Sequence, residues 1–212
     1  MKVLIVGGAS VATWPSMEGE YDLYVGVDRG NLFLLEQGYP VDVAVGDFDS
    51  LTSSEREVVF EQAATVVQAA AEKDDTDTQL ALDYVLTHYP EAIITLIGMI
   101  GGRIDHFLAN LWMVLEPRFK PYSEQLTLKD RQNTIQFFLP GTHTIRHESD
   151  MKYLAYCCLT PVDALTLVGS KYTLTNQQVS VPTSYASNEF LTETVTFSFE
   201  KGQVAVIQSK DK

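Results

Sequence analysis

Val41-Asp42-Val43-Ala44-Val45-Gly46-Asp47-Phe48-Asp49-Ser50 is a short, β-branched apolar run that breaks at a glycine into two aspartates. A run of this length closed by turn-forming residues reads as a strand. The same texture recurs at residues 2–6, 22–27, 65–67 and 92–97. Helix-like patterns at 32–37, 53–63, 78–88 and 104–115 fall between these runs. Strands alternating with helices predict a parallel sheet with helical crossovers, and such sheets bind ligands outside the carboxyl ends of their strands.

The texture changes after Glu116-Pro117-Arg118-Phe119-Lys120-Pro121. Short alternating runs at 135–139, 142–145, 153–159, 164–167, 194–199 and 204–207 then predict a small β-sandwich. The expected fold class is an α/β N-terminal domain with a mainly parallel sheet, over residues 1–121, followed by a C-terminal all-β sandwich domain over 122–212.

The chain has 212 residues, 45% of them hydrophobic, and a formal net charge of −13. Such acidity argues against a protein that grips nucleic acid by its phosphates, and a phosphate ligand is expected to arrive with a metal cation. No apolar run approaches the roughly 20 residues of a membrane span. The opening run before Gly7-Gly8 is also too short for a signal-peptide core, so a soluble, cytoplasmic protein is expected. Cys157 and Cys158 are neighbours in a predicted strand and point to opposite faces, which suits reduced thiols better than a disulfide.

Carboxylates gather at the strand ends. Asp28 closes the second strand in Gly26-Val27-Asp28-Arg29-Gly30 and could be a simple turn residue. Asp47 and Asp49, two apart in an extended segment, are spaced to share a hard cation. Glu72-Lys73-Asp74-Asp75-Thr76-Asp77-Thr78-Gln79 packs acids around one lysine. Thr76 with Gln79 fits a capping box, placing Asp77 in a first helical turn and Leu80 and Tyr84 on the buried face. Capping does not require Lys73 or the Asp74-Asp75 pair. A magnesium site completed by Asp77, with Lys73 reaching a phosphate, accounts for more of the segment.

Gly98-Met99-Ile100-Gly101-Gly102-Arg103 then leads into a helix whose N–H groups can face an anion. Ile104, Leu108, Leu111 and Leu115 form its expected apolar stripe, and His106 and Asn110 share another face. Arg103 beside Asp105 fits either a phosphate contact or a structural ion pair. Gly7-Gly8 is a further, weaker phosphate-cradle signal.

Asp28-Arg29-Gly30, Gly46-Asp47-Phe48-Asp49-Ser50-Leu51, Lys73-Asp74-Asp75-Thr76-Asp77 and Gly102-Arg103-Ile104-Asp105-His106, in this order, resemble thiamine pyrophosphokinases. Gly169-Ser170-Lys171-Tyr172 and Ser187-Asn188-Glu189-Phe190 extend the resemblance through the second half. Departures are Arg29, where the family often has glycine, and Tyr185-Ala186 before the last motif.

The resemblance implies an ATP-binding α/β domain, a β-sandwich, and a homodimer with active sites in clefts between subunits. It implies Mg2+ on Asp47, Asp49 and Asp77. The chemistry of the transfer assigns Lys73 and Arg103 to phosphate charge, Asp28 or Asp105 to orienting the nucleophile or accepting its proton, and a catalytic part to Asp75. ATP would meet Gly8, Thr76, Gly102 and His106, and thiamine would meet Asn110, Ser187 and Asn188. The implied reaction moves a pyrophosphate from ATP to thiamine. An aspartate-dependent phosphatase built on Asp47-Phe48-Asp49 and a non-catalytic nucleotide sensor are the competing readings.

Overall fold

A computed structural model describes residues 1–17, 19–70 and 74–211. The chain divides into two compact units, Met1–Met113 with Leu128–Arg131, and Val114–Thr127 with Gln132–Lys212.

The first unit contains β1 (Lys2–Val6), β2 (Leu23–Val27), α1 (Arg29–Glu36), β3 (Val43–Gly46), α2 (Ser53–Gln62), β4 (Thr65–Gln68), α3 (Asp77–His88), β5 (Ile93–Ile97) and α4 (Ile104–Trp112). These strands pair in the order β5-β1-β2-β3-β4, all parallel. From β1 the chain steps outward to β4 and then returns to the opposite side of β1 as β5. The order therefore reverses between β1 and β5, the kind of switch point where the loops at strand ends diverge and leave a crevice.

β1 is the middle of this core, with Val3, Leu4, Ile5 and Val6 fully buried. On one face Leu4, Val6, Tyr24 and Ala44 join Leu34 of α1 and Val59 of α2. The alternate residues Ile5, Val25 and Val43 point to the other face, and α3 packs against β2 and β3 through a stripe of Ala81, Leu82, Val85 and Leu86. Leu80 and Tyr84, expected on that stripe, are only half-buried. The helix phase is set by the capping box at Thr76, and it turns the following pair of positions inward.

Two elements depart more from the expectation. α1 starts at Arg29 rather than near 32, since Asp28 leads straight into it without a side-chain cap and the apolar period hides its first turn. α4 begins as expected, but its stripe is not buried: Ile104 is 73% exposed, and Asn110 is the helix's one buried residue. Leu115 lies in a separate 3-10 turn, Met113–Leu115.

β6 (Leu126–Lys129) divides between the two units. The second unit continues with β7 (Asn133–Phe138), β8 (Gly141–Arg146), β9 (Tyr153–Cys158), β10 (Val162–Val168), β11 (Leu174–Val179), β12 (Thr183–Asn188), β13 (Thr194–Phe199) and β14 (Val204–Ser209). Antiparallel sheets β12-β9-β14-β7 and β11-β10-β13-β8 face each other. Leu154, Tyr156, Val204 and Val206 from one meet Leu165, Leu167, Val195 and Phe197 from the other. This is the β-sandwich that the alternation predicts.

The proline-bearing segment after residue 113 is part of this unit. Gln203, fully buried, donates from Nε2 to Val114 O at 3.0 Å and to Ser123 Oγ at 2.8 Å. Both cysteines are free, and burial pushes the Cys158 thiol up to about 11. Among the described residues no helix is long and apolar enough to cross a membrane.

Candidate active site

A pocket of about 650 Å3 opens in the first unit at the switch point between β1 and β5. Its floor is made by two glycine-bearing loops in contact. Gly7 N–H donates to Ile97 O at 2.8 Å and Ala9 N–H to Gly98 O at 3.0 Å. A Cβ on Gly7 would lie 2.6 Å from the Met99 sulfur and 2.7 Å from Gly98 O, so only glycine lets these loops close.

Gly8, Asp28, Thr76, Asp77, Gly102 and His106 line the pocket, as do Arg103, Asp105 and Asn110. Most of the residues the sequence nominates in this half thus converge here, whereas Asp47 and Asp49 are not in the lining. Asp75 is described but lies outside the lining, and Lys73 lies outside the described residues.

Asp28, Asp47 and Asp77 each offer a carboxylate oxygen within 4.8 Å of the others. Three strand ends or helix starts supply them: Asp28 follows β2, Asp47 follows β3, and Asp77 opens α3. Thr76 fixes the last of these, accepting from Gln79 N–H at 3.2 Å while its own N–H donates to Gln79 Oε1 at 2.7 Å.

Asp49 is not in the cluster. It is exposed, and its N–H donates to Asp47 Oδ1 at 3.0 Å. The intervening Phe48 explains this, because its left-handed backbone (φ 60) breaks the extended geometry that two-residue spacing presumes. The third carboxylate brought together is therefore Asp28.

Carboxylates this close repel by about 3–4 kcal/mol per pair at an effective dielectric constant near 20. The result is visible at Asp28, whose pKa is pushed up to about 7, first by burial and then by the charge of Asp77. Phe48 N–H, donating to Asp28 Oδ1 at 3.3 Å, works in the opposite direction. Gly46 makes room for this carboxyl: a Cβ there would lie 2.1 Å from Asp28 Oδ1. The donor set is all oxygen and compact, which fits a hard divalent cation.

Arg103 forms a two-pronged pair with Asp105, Nη2 to Oδ2 at 2.5 Å and Nε to Oδ1 at 3.2 Å, both side chains well exposed. The guanidinium holds the Asp105 carboxyl below its ordinary range. Asn110 is anchored, donating from Nδ2 to Met99 O at 3.1 Å. Arg29, which sequence reasoning gave no role, also lines the pocket and donates to Ser50 O at 2.5 Å.

In the second unit Asn188 is buried, and its amide is fully engaged. Oδ1 accepts from Tyr172 N–H and Glu189 N–H, each at 2.9 Å. Nδ2 donates to Tyr172 O at 2.8 Å and Ser170 Oγ at 3.1 Å. Asn188 thus ties the 187–190 segment to the 170–172 turn, while Ser187 beside it adopts φ 61.

These features define a class: an α/β unit with a carboxylate-ringed, glycine-floored pocket at its switch point, followed by a β-sandwich. Comparison with known proteins makes the class specific. The family model for the thiamin pyrophosphokinase catalytic domain matches residues 15–126, and that for the thiamin pyrophosphokinase vitamin B1 binding domain matches 142–204. The chain is 36% identical over 214 residues to the thiamine pyrophosphokinase of Bacillus subtilis strain 168, covering 98% of each. It superimposes on the structure of a thiamin pyrophosphokinase family protein from Enterococcus faecalis with a TM-score of 0.98 and 57% identity, over 100% of both chains. The crystal structure of the Bacillus subtilis enzyme gives a TM-score of 0.88, again over 100% of both. The chain belongs to the thiamine pyrophosphokinase family.

Proposed function

We propose that this chain transfers a pyrophosphate group from ATP to the hydroxyl of thiamine, giving thiamine diphosphate and AMP, with Mg2+ held by Asp28, Asp47 and Asp77. The observation that carries the reading is the carboxylate cluster beside the glycine-floored pocket, in a chain of this family. Mg2+ bound there would neutralise charge across the ATP phosphates.

The protein's own contribution is mainly positioning, since pyrophosphoryl transfer needs little covalent chemistry from side chains. Gly8 and Gly102 let backbone approach phosphate closely, and Thr76 and His106 border the nucleotide. Arg103 offers positive charge to phosphate, with Asp105 fixing the guanidinium plane. Lys73 is assigned to phosphate charge as well, and Asp75 to the acidic surroundings of the cation. Asn110 and Ser187 are assigned to thiamine, and Asn188 to the shape of the segment that carries Ser187.

A phosphatase built on Asp47-Phe48-Asp49 needs both carboxylates on one substrate. Asp49 standing exposed outside the cluster argues against it. We also assign a homodimer, supported by the exposed apolar surface of α4.

The deciding experiment is incubation with thiamine, ATP and Mg2+ followed by mass identification of products. Thiamine diphosphate with AMP is expected; thiamine monophosphate with ADP as the main products would sink the reading.

A further inference from the structure

We infer that Arg29 and Arg56 form a guanidinium clamp on the backbone of the 46–50 loop, acting as positioning residues that hold Asp47 against Asp28 and Asp77. The inference rests on reading that cluster as a divalent-cation site.

The loop is held in an unfavourable shape. Gly46 has φ 146 and Phe48 has φ 60, the latter with its aromatic side chain fully buried. A bulky residue stays in the left-handed region only when its surroundings over-determine it. Two arginines from different helices supply part of that constraint. Arg56, in α2, donates from Nη2 to Phe48 O at 2.9 Å. Arg29, the first residue of α1, donates from Nη2 to Ser50 O at 2.5 Å.

The two carbonyls flank Asp49, so the clamp grips the loop on both sides of it. Arg29 is braced in turn by Glu55, Nη1 to Oε1 at 3.4 Å. The other oxygen of Glu55 accepts from Thr52 N–H at 2.7 Å and from the Thr52 hydroxyl at 2.9 Å. The start of α1, the loop and the start of α2 are thereby one hydrogen-bonded frame.

Among the described residues no carboxylate pairs with Arg56, and its Nε is buried without a partner. Its charge is therefore available to the carbonyl and to the acidic loop, rather than cancelled by an ion pair. Groups that orient metal ligands without touching the ion typically change affinity by about 10–100-fold when removed.

The test is a titration with Mn2+ alone, without nucleotide, read by electron paramagnetic resonance on the full-length protein. Arg29→Gln and Arg56→Gln are each expected to weaken Mn2+ binding by about 10-fold. Arg56→Lys, which keeps a cationic donor for Phe48 O, is expected to recover most of the loss. If circular dichroism shows Arg56→Gln unfolded, Arg29→Gln decides alone, because the Arg29 side chain is 36% exposed. Mn2+ affinity within twofold of the unsubstituted protein in Arg29→Gln would overturn the clamp and leave the metal site standing. No Mn2+ binding to the unsubstituted protein would overturn the metal reading and the clamp with it.

Discussion

Asp28 is the residue at which sequence and structure differ most usefully. A strand ending in aspartate is as ordinary as a turn, so the sequence left its role open, whereas Asp47 and Asp49 looked like a pair. What reordered them is backbone geometry at one position, the left-handed Phe48. No spacing rule anticipates a buried aromatic in that conformation. The raised Asp28 pKa has a testable consequence in the metal-free protein. A carboxyl at about 7 in the folded chain and near 3.8 when unfolded makes folding take up a proton between those values. Its stabilising contribution is therefore fully present below the unfolded value and is lost as pH rises through about 7. Thermal melts in chelator should show stability falling from pH 5 to pH 8, and Asp28→Asn should flatten that part of the profile. An unchanged slope in the variant would mean the proton sits elsewhere.

At the scale of elements, the sequence is legible where local chemistry decides the outcome. Both helices that start at a threonine carry complete capping boxes, Thr52 with Glu55 and Thr76 with Gln79. The core strands of both units stand close to where the apolar runs put them. The strands that escaped, β11 and β12, are mostly exposed, and β6 is only four residues long. β11 and β12 are edge strands that bury too little to show an apolar period, whereas β6 alternates buried Leu126 and Leu128 over a run too short to stand out. The cap at α2 also gives a measurable quantity. Thr52→Ala removes the acceptor for Glu55 N–H and should cost about 1 kcal/mol of stability in urea unfolding. Since Glu55 also braces Arg29, the same variant should loosen the 46–50 loop, read as faster amide exchange at Asp49. Stability unchanged within about 0.3 kcal/mol would show that solvent replaces the cap.

At the scale of the whole molecule, the two-part architecture followed from a change in texture along the chain, and the pocket followed from strand order. The burial of α4 did not follow, because a periodic apolar stripe says that a surface will be covered without saying by what. Ile104 of that stripe is 73% exposed and Trp112, on the same helix, 52%, while Leu108 and Leu111 are half-buried. Leaving such side chains in water forgoes about 1.5–3 kcal/mol apiece relative to burial, and large exposed apolar surfaces mark contact sites. The opposite side of the same helix, through His106, Ala109 and Asn110, borders the pocket. Covering α4 with a second copy would therefore steady one wall of the site as well as hide the stripe. Light scattering of the unsubstituted protein should report twice the 23.6 kDa chain mass. Ile104→Asp combined with Trp112→Ser should return it to a single chain, with secondary structure retained and activity reduced, since neither residue lines the pocket or supports the core of its own chain. A single-chain mass for the unsubstituted protein, or an undisturbed dimer in the double variant, would show that α4 is not the surface through which copies meet.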